Sequence, residues 1–230
     1  MWGFPMSLFR LFLLTVVFLQ SSILTHAVDP LPVSSPKQTD TRKTSTPYTG
    51  DLSIFDSPGR EERLQIDRVM TILGVEPGKS IADIGAGSGW FTVRAAKQVG
   101  TSGKVYAVDI NPEAIHYIED RVRKEQLHNV TTILGRSDDP LLPARQVDVV
   151  LLLKTYHEVA KPVALLRNVR ASLRPGAKVG IIDRNGNGEN HGVDRSVVLR
   201  EASEAGYELD GSYDFVKDGM DYFLVFVVQQ

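Results

Sequence analysis

Asp83 stands two residues ahead of three alternating glycines, Gly85, Gly87 and Gly89, in the run ADIGAGSGW at residues 82–90. Glycine removes the side chain that would hold a ligand away from the backbone. A helix N-terminus beyond such a turn also favours a negatively charged ligand group. Phosphate cradles, dinucleotide sites and sulfonium-cofactor sites all use turns of this kind, and spacing separates them. A dinucleotide fingerprint places its third glycine after a gap of two residues. Here that place holds Trp90, an indole where close packing is needed. No G-x-x-x-x-G-K-[ST] pattern occurs, which argues against a triphosphate cradle.

The acids supply the positive reason. Asp83 can accept hydrogen bonds from an ammonium group, directly or through water, whereas beside a pyrophosphate its charge is repulsive. Asp109 ends the next apolar run, KVYAVD, where one carboxylate can hold both hydroxyls of a ribose. Asp109 alone would suit a nicotinamide dinucleotide equally well. The pair, with this glycine spacing, favours an amino-acid nucleoside, a description that S-adenosylmethionine fits.

The elements around these residues must bring them to one edge. IADIG, KVYAVDI, NVTTILG, VDVVLLL and AKVGIIDR read as strands, and VDVVLLL has the apolar, β-branched character of a strand buried on both faces. Between them lie helical patterns. GREERLQIDRVMTILG carries Leu64, Val69, Ile72 and Leu73 at helical spacing, and WFTVRAAKQVG stops at Gly100. Asn111 is a good N-cap before Pro112, so PEAIHYIEDRVRKEQL is expected as a helix. KPVALLRNVRASLRPG and VDRSVVLREASEAG complete the set, and YELDGSYDFV with DYFLVFVV reads as a closing strand pair. This alternation predicts an α/β fold: a mostly parallel, Rossmann-like sheet with right-handed crossovers and helices on both faces. Ligands in such sheets bind beyond the C-terminal ends of the strands. Chemistry is therefore expected at residues 85–89, 109–111, 137–139, 154–158 and 183–191.

In order and spacing, IADIGAGSGWFTVRAA, GKVYAVDINPEAI, VDVVLLLKTYHEVAKPVALLRNVRASLRPGAKVGIID and the closing pair resemble the class I S-adenosylmethionine-dependent methyltransferases, over roughly residues 52–228. The resemblance implies a seven-stranded sheet whose last strand enters antiparallel. It implies S-adenosylmethionine as cofactor, with Gly85, Ala86, Gly87 and Gly89 facing its methionine part and Asp83 near its amino group. Asp109 would hold the ribose, Ile110 would cover one adenine face, and Asp138 or Asp139 would meet the adenine amino group. Gly89 could instead serve helix packing, and Trp90 is expected to pack.

After the fourth strand comes KTYHEV. His157 is the first candidate for a general base, because its unperturbed pKa lies near neutrality; Tyr156 is the second. The alternative is that YHE caps the strand and packs on the cofactor. Lys154 is a candidate for an anionic group or for the strand-end carbonyls. His191 lies in the loop NGNGENHG, where exposure is expected, as it is for His116 and His128. No histidine pair has metal-ligand spacing along the chain, so no metal is expected. GREERLQ could fold over the cofactor pocket, with Arg60, Glu61 and Arg63 as candidates there, but its first turn is expected to be solvated.

The chain has 230 residues, 42% apolar and 23% charged, and a formal charge of −2. That suggests one domain with an ordinary core and argues against nucleic acid held by a general basic field. There is no cysteine, which excludes disulfides, thiolate metal sites and cysteine nucleophiles. Arsenic-methylating relatives of the family depend on cysteines, so that chemistry is disfavoured. Large substrate-recognition inserts are missing, which favours a small or lipid-like acceptor.

Residues 1–27 pair a basic start with the short apolar run LFLLTVVFL and end in THA, the pattern of a secretory signal. Export to the periplasm or medium is expected, or anchoring if the segment is not cleaved, with membrane contact through this segment only. Residues 28–50 are rich in Pro, Ser and Thr and read as a flexible linker before a domain over 51–230. Two other functions fit the same residues: an S-adenosylmethionine-binding sensor without turnover, and, against the glycine spacing, a nicotinamide-dependent oxidoreductase.

Overall fold

The computed structural model describes Met1 and residues 41–229, so the expected signal segment and the first part of the linker lie outside the described residues. A 3-10 turn, Leu52–Asp56, precedes α1 (Arg60–Leu64) and α2 (Ile66–Leu73). Then β1 (Ser80–Ile84), α3 (Trp90–Val99), β2 (Lys104–Asp109), α4 (Pro112–Lys124), β3 (Val130–Leu134) and β4 (Val147–Leu153) alternate. A second 3-10 turn, Tyr156–Glu158, leads to α5 (Pro162–Ser172), β5 (Leu173–Asp183), α6 (Arg195–Glu204), β6 (Tyr207–Tyr213) and β7 (Tyr222–Val228).

The seven strands form one sheet in the order β3-β2-β1-β4-β5-β7-β6. β1 to β5 pair in parallel, and β7 runs antiparallel to both β5 and β6. The expected Rossmann-like sheet with its antiparallel final strand is what the chain forms. Strand order reverses at β1, whose two neighbours are β2 and β4, so the switch point opens directly above the glycine turn.

Side-chain alternation explains how the sheet carries helices on both faces. Along β4, Val150 and Leu152 join one core cluster, while Val149, Leu151 and Leu153 join the other. Leu151 and Leu152 are fully buried, and burial of this kind stabilises by about 1.5–3 kcal/mol per side chain. Along β1, Ala82 and Ile84 face the first cluster and Ile81 the second. Asp83 therefore points to the side of Ile81, where α3 packs, and Asp183 to the side of Val179 and Ile181, opposite.

Three boundaries differ from expectation. The single helix read from GREERLQIDRVMTILG breaks at Gln65, whose φ of 48° caps α1 and starts α2. β5 begins at Leu173 instead of near Ala177, because Leu173 pairs with Val147 across an irregularity in β4. Residues 41–50 have no regular structure, but they pack on the domain. Arg42 binds the Glu201 carboxylate at 2.6 Å and the Tyr156 carbonyl, and Ser45 is buried. Local composition cannot register that packing, because its partners stand more than 100 residues away.

Candidate functional site

β1, β2, β4 and β5 end at one edge and open into a cleft of about 870 Å³, within the range of small-molecule and cofactor sites. Gly85, Ala86, Gly87 and Ser88 of the glycine turn line it, and Gly89 does not. Gly85 has a φ of 73°, and a Cβ there would lie 2.2 Å from the Thr155 side chain. The turn can pass the end of β4 only without a side chain. Gly89, with φ of 72°, is the N-cap of α3, and a Cβ would meet Ile118 of α4 at 3.1 Å. Gly89 thus has the helix-packing role that was its alternative reading. Gly87 contributes its N–H, which donates to Asp109 Oδ2 at 2.9 Å.

That bond joins the turn to the second acid. The other oxygen of Asp109 accepts the Asn111 N–H at 2.9 Å, so the carboxylate is oriented by backbone on both sides. Each oxygen keeps a lone pair for the cleft. Asn111 in turn caps α4, accepting from the Glu113 N–H, which is the cap expected from sequence. Ile110 lines the cleft and is 47% exposed, an apolar surface open to a flat ring.

Asp83 lines the cleft from a buried position, 2% exposed, and accepts a hydrogen bond from Thr92 Oγ1 at 2.6 Å. Burial pushes its carboxyl up to about 6; the Thr92 bond opposes this, and the nearby Asp109 charge adds to it. A carboxylate so desolvated is stabilised by a cation brought to it. Arg60 supplies only part of that charge. It is buried over the Trp90 ring at 4.5 Å and is committed to the Phe55 carbonyl and Asp218. Its lining of the cleft corrects the expectation of a solvated first turn; Glu61 and Arg63, by contrast, are exposed. Trp90 packs, 4% exposed, between Arg60 and Arg94.

Asp138 and Asp139 do not line the cleft. Asp138 pairs with Lys161 at 3.1 Å, and Asp139 accepts the Leu141 N–H at 2.9 Å. Their neighbours Arg136, Ser137 and Pro140 line it instead. The loop after β3 turns back on itself, with Arg136 and Asp139 bridged, and directs the acids outward. Lys154 lines the cleft, exposed, with φ of 56°.

The YHE turn divides. Tyr156 is fully buried, its hydroxyl donating to Glu201 at 2.9 Å and the Arg42 guanidinium 4.7 Å from its ring centroid. It lies in the core and not in the cleft, so it is not placed to meet an acceptor. His157 does line the cleft. Its Nδ1 lies 2.9 and 3.0 Å from the two oxygens of Asp183. Those oxygens also accept the backbone N–H groups of His157 and Arg184, and an ionised carboxylate can only accept, so Nδ1 is the donor to Asp183. Glu158, whose carboxyl burial pushes up to about 7, lies 3.8 Å from Nε2. His191 is also in the cleft wall, its ring centroid 5.8 Å from that of His157.

Thr92, Thr155 and Asp183 were missed as site residues. The strand-end rule pointed to position 183, but nothing local distinguishes Thr92 or Thr155 from other threonines in a helix or a loop.

The cleft suits S-adenosylmethionine on three observations: a desolvated carboxylate for its ammonium, a backbone-oriented carboxylate for its ribose, and a side-chain-free turn between them. Comparisons with known proteins agree. Residues 81–176 match the methyltransferase domain family. The chain is similar to an arsenite methyltransferase of Halobacterium salinarum, 31% identical over 136 residues, covering 59% of this chain and 35% of that protein. It is also similar to a demethylmenaquinone methyltransferase of Geobacillus, 29% identical, covering 48% and 47%. It thus spans half or less of the length of these curated relatives. Among solved structures, a SAM-dependent methyltransferase from Aquifex aeolicus shares the fold, with a TM-score of 0.71, 24% identity and coverage of 78% of this chain and all of that one. Aeropyrum pernix fibrillarin, solved with natively bound S-adenosyl-L-methionine, has a TM-score of 0.53 at 18% identity, covering 70% and 74%. Over residues 81–176 the chain matches the methyltransferase domain family, its fold is that of S-adenosylmethionine-dependent methyltransferases, and S-adenosylmethionine is the cofactor its cleft fits.

Proposed function

We propose that the protein transfers a methyl group from S-adenosylmethionine to a small acceptor that enters between the ends of β4 and β5. One observation carries this reading: Asp83 and Asp109 flank the glycine turn in the same cleft that His157 lines. Bound there, S-adenosylmethionine supplies an electrophilic methyl group on a good leaving group. Asp83 holds the ammonium, Asp109 the ribose, and Ile110 one face of the adenine. Alignment of donor and acceptor can carry much of the catalysis of such a displacement. His157 receives the acceptor: Asp183 fixes its ring, and Nε2 can accept a hydrogen bond from a hydroxyl, thiol or amine.

The acceptor reading is narrower than the relatives' names. Leu52, Ile54, Leu153 and Met220 line the cleft and favour an apolar or lipid-like molecule. Arsenite, the substrate in one relative's name, is disfavoured by the absence of cysteine. We also propose export, on the signal pattern of residues 1–27.

Calorimetric titration with S-adenosylmethionine, its demethylated product and NAD tests the cofactor. Binding of the first two is expected; binding of NAD alone would refute the reading. A labelled-methyl screen against cell extracts then tests turnover. Confirmed binding with persistent absence of labelled product would point to a sensor instead.

A further inference from the structure

We infer that His157, Glu158 and His191 form a site for one divalent transition-metal ion at the acceptor end of the cleft. One ligand atom from each residue lies within 4.8 Å of the others. Around zinc, with bonds of about 2.0–2.2 Å, tetrahedral ligand atoms stand roughly 3.4 Å apart. The 3.8 Å between His157 Nε2 and the Glu158 carboxylate is already near that value. His191, an exposed loop residue, has only a short distance to close.

Three further features point to an ion. First, Asp183 backs His157 with a hydrogen bond from Nδ1–H, the arrangement that orients a metal-bound imidazole and raises its basicity. Second, Glu158 is largely covered, and among the described residues no lysine or arginine lies within salt-bridge distance of it, although the Lys154 charge acts on it from farther away. Third, His191 is held in position from outside the cluster. Ser45 Oγ accepts its backbone N–H at 2.7 Å and donates to the Gly188 carbonyl at 3.1 Å. Two imidazoles and one carboxylate leave coordination positions open, as in catalytic rather than structural sites. Imidazole donors select zinc, iron, nickel or copper over magnesium.

The sequence expectation of no metal rested on spacing along the chain. His191 is 34 residues beyond His157, and only the ends of β4 and β5 bring the two together. With an ion bound, His157 Nε2 is a ligand, and activation of the acceptor passes to the ion. An oxygen or sulfur acceptor in an open position would lose its proton to water; its lone pair would form the new bond to the methyl carbon as the sulfonium S–CH3 bond breaks, and the demethylated cofactor would leave with that electron pair. This catalytic meaning rests on the methyltransferase reading; ion binding itself does not.

The test is calorimetric titration of the chelator-treated full chain with Zn²⁺ and, separately, Mg²⁺. One Zn²⁺ per chain is expected, with no competition from Mg²⁺. His191→Ala and Glu158→Gln should each weaken Zn²⁺ by tenfold or more, and Asp183→Asn by about 10–100-fold. His116→Ala, on the exposed face of α4, should leave it unchanged. Absence of Zn²⁺ binding, equal binding of Mg²⁺, or unchanged affinity in a folded His191→Ala variant would overturn the inference. Loss of binding in His116→Ala equal to that in His191→Ala would do so too. S-adenosylmethionine titrated into the same samples keeps the two failures apart. Cofactor binding without Zn²⁺ sinks only the ion site; Zn²⁺ without cofactor sinks only the methyltransferase reading.

Discussion

Asp83 and Asp109 have the same charge but sit in different surroundings, and their expected behaviour diverges accordingly. Asp109 is oriented by two backbone N–H groups and partly open to water. Asp109→Ala is expected to weaken S-adenosylmethionine binding by about 1–3 kcal/mol through lost charge-assisted hydrogen bonds, read by calorimetry. Asp83 is buried, and its carboxyl rises from 3.8 to about 6. The folded state therefore binds its proton more tightly than the unfolded chain does. Its contribution to stability is greatest below about pH 4 and is lost as pH rises toward 6. Cofactor binding runs the other way, because the ammonium needs the ionised carboxylate. Affinity should fall about tenfold from pH 7 to pH 5, and Asp83→Asn should flatten that profile. A wild-type affinity independent of pH would contradict the ammonium role. Tyr156 makes a third case. Tyr156→Phe removes the hydroxyl from Glu201 and should cost about 1 kcal/mol in urea unfolding, leaving cofactor affinity unchanged.

Among the elements, the β1–α3 turn is the least tolerant of change. Gly85 combines a φ of 73° with a Cβ position 2.2 Å from Thr155. Gly85→Ala must accept the left-handed penalty of about 1–2 kcal/mol and also displace the end of β4. We expect a loss of at least about 2 kcal/mol in stability, together with loss of cofactor binding, checked by denaturation and calorimetry on the same sample. The 3-10 turn over residues 52–56 closes over this element. Arg121 binds Asp56 at 2.7 Å and the Ser88 carbonyl at 3.0 Å, so α4, the glycine turn and the entrance segment are tied at one point. The loop after β3 shows the opposite tendency. An acid at a strand end was legible as a ligand candidate, but the Lys161–Asp138 pair draws it toward α5.

Across the molecule, the segment over residues 41–50 connects remote elements. Arg42 reaches Glu201 on α6 and the Tyr156 carbonyl, while Ser45 reaches the loop that carries His191. Burial pushes the Glu201 carboxyl up, and the Arg42 charge opposes that shift. Arg42→Ala leaves Glu201 buried without its cation and should lower stability by about 1–3 kcal/mol in thermal unfolding. At the N-terminus, the proposal of export predicts Val28 as the first residue of the native protein, read by N-terminal sequencing. An intact Met1 would remove it.

Sequence alone determined the alternation of strands and helices, because apolar periodicity, the Asn111 cap and the terminating glycines are local signals. It also pointed to the cofactor and to the strand edge where it would bind. Glycine spacing and two strand-end acids are short-range features, and the parallel α/β rule brings strand ends to one edge. Tertiary structure decided what depends on side-chain direction and distant partners. It sent Asp138 and Asp139 outward and Tyr156 into the core, brought Arg60 into the cleft, and placed Thr92, Thr155 and Asp183 behind the residues they support. It also set His191 beside His157 and Glu158. These outcomes rest on contacts between elements far apart in the chain, where neither composition nor spacing carries the information.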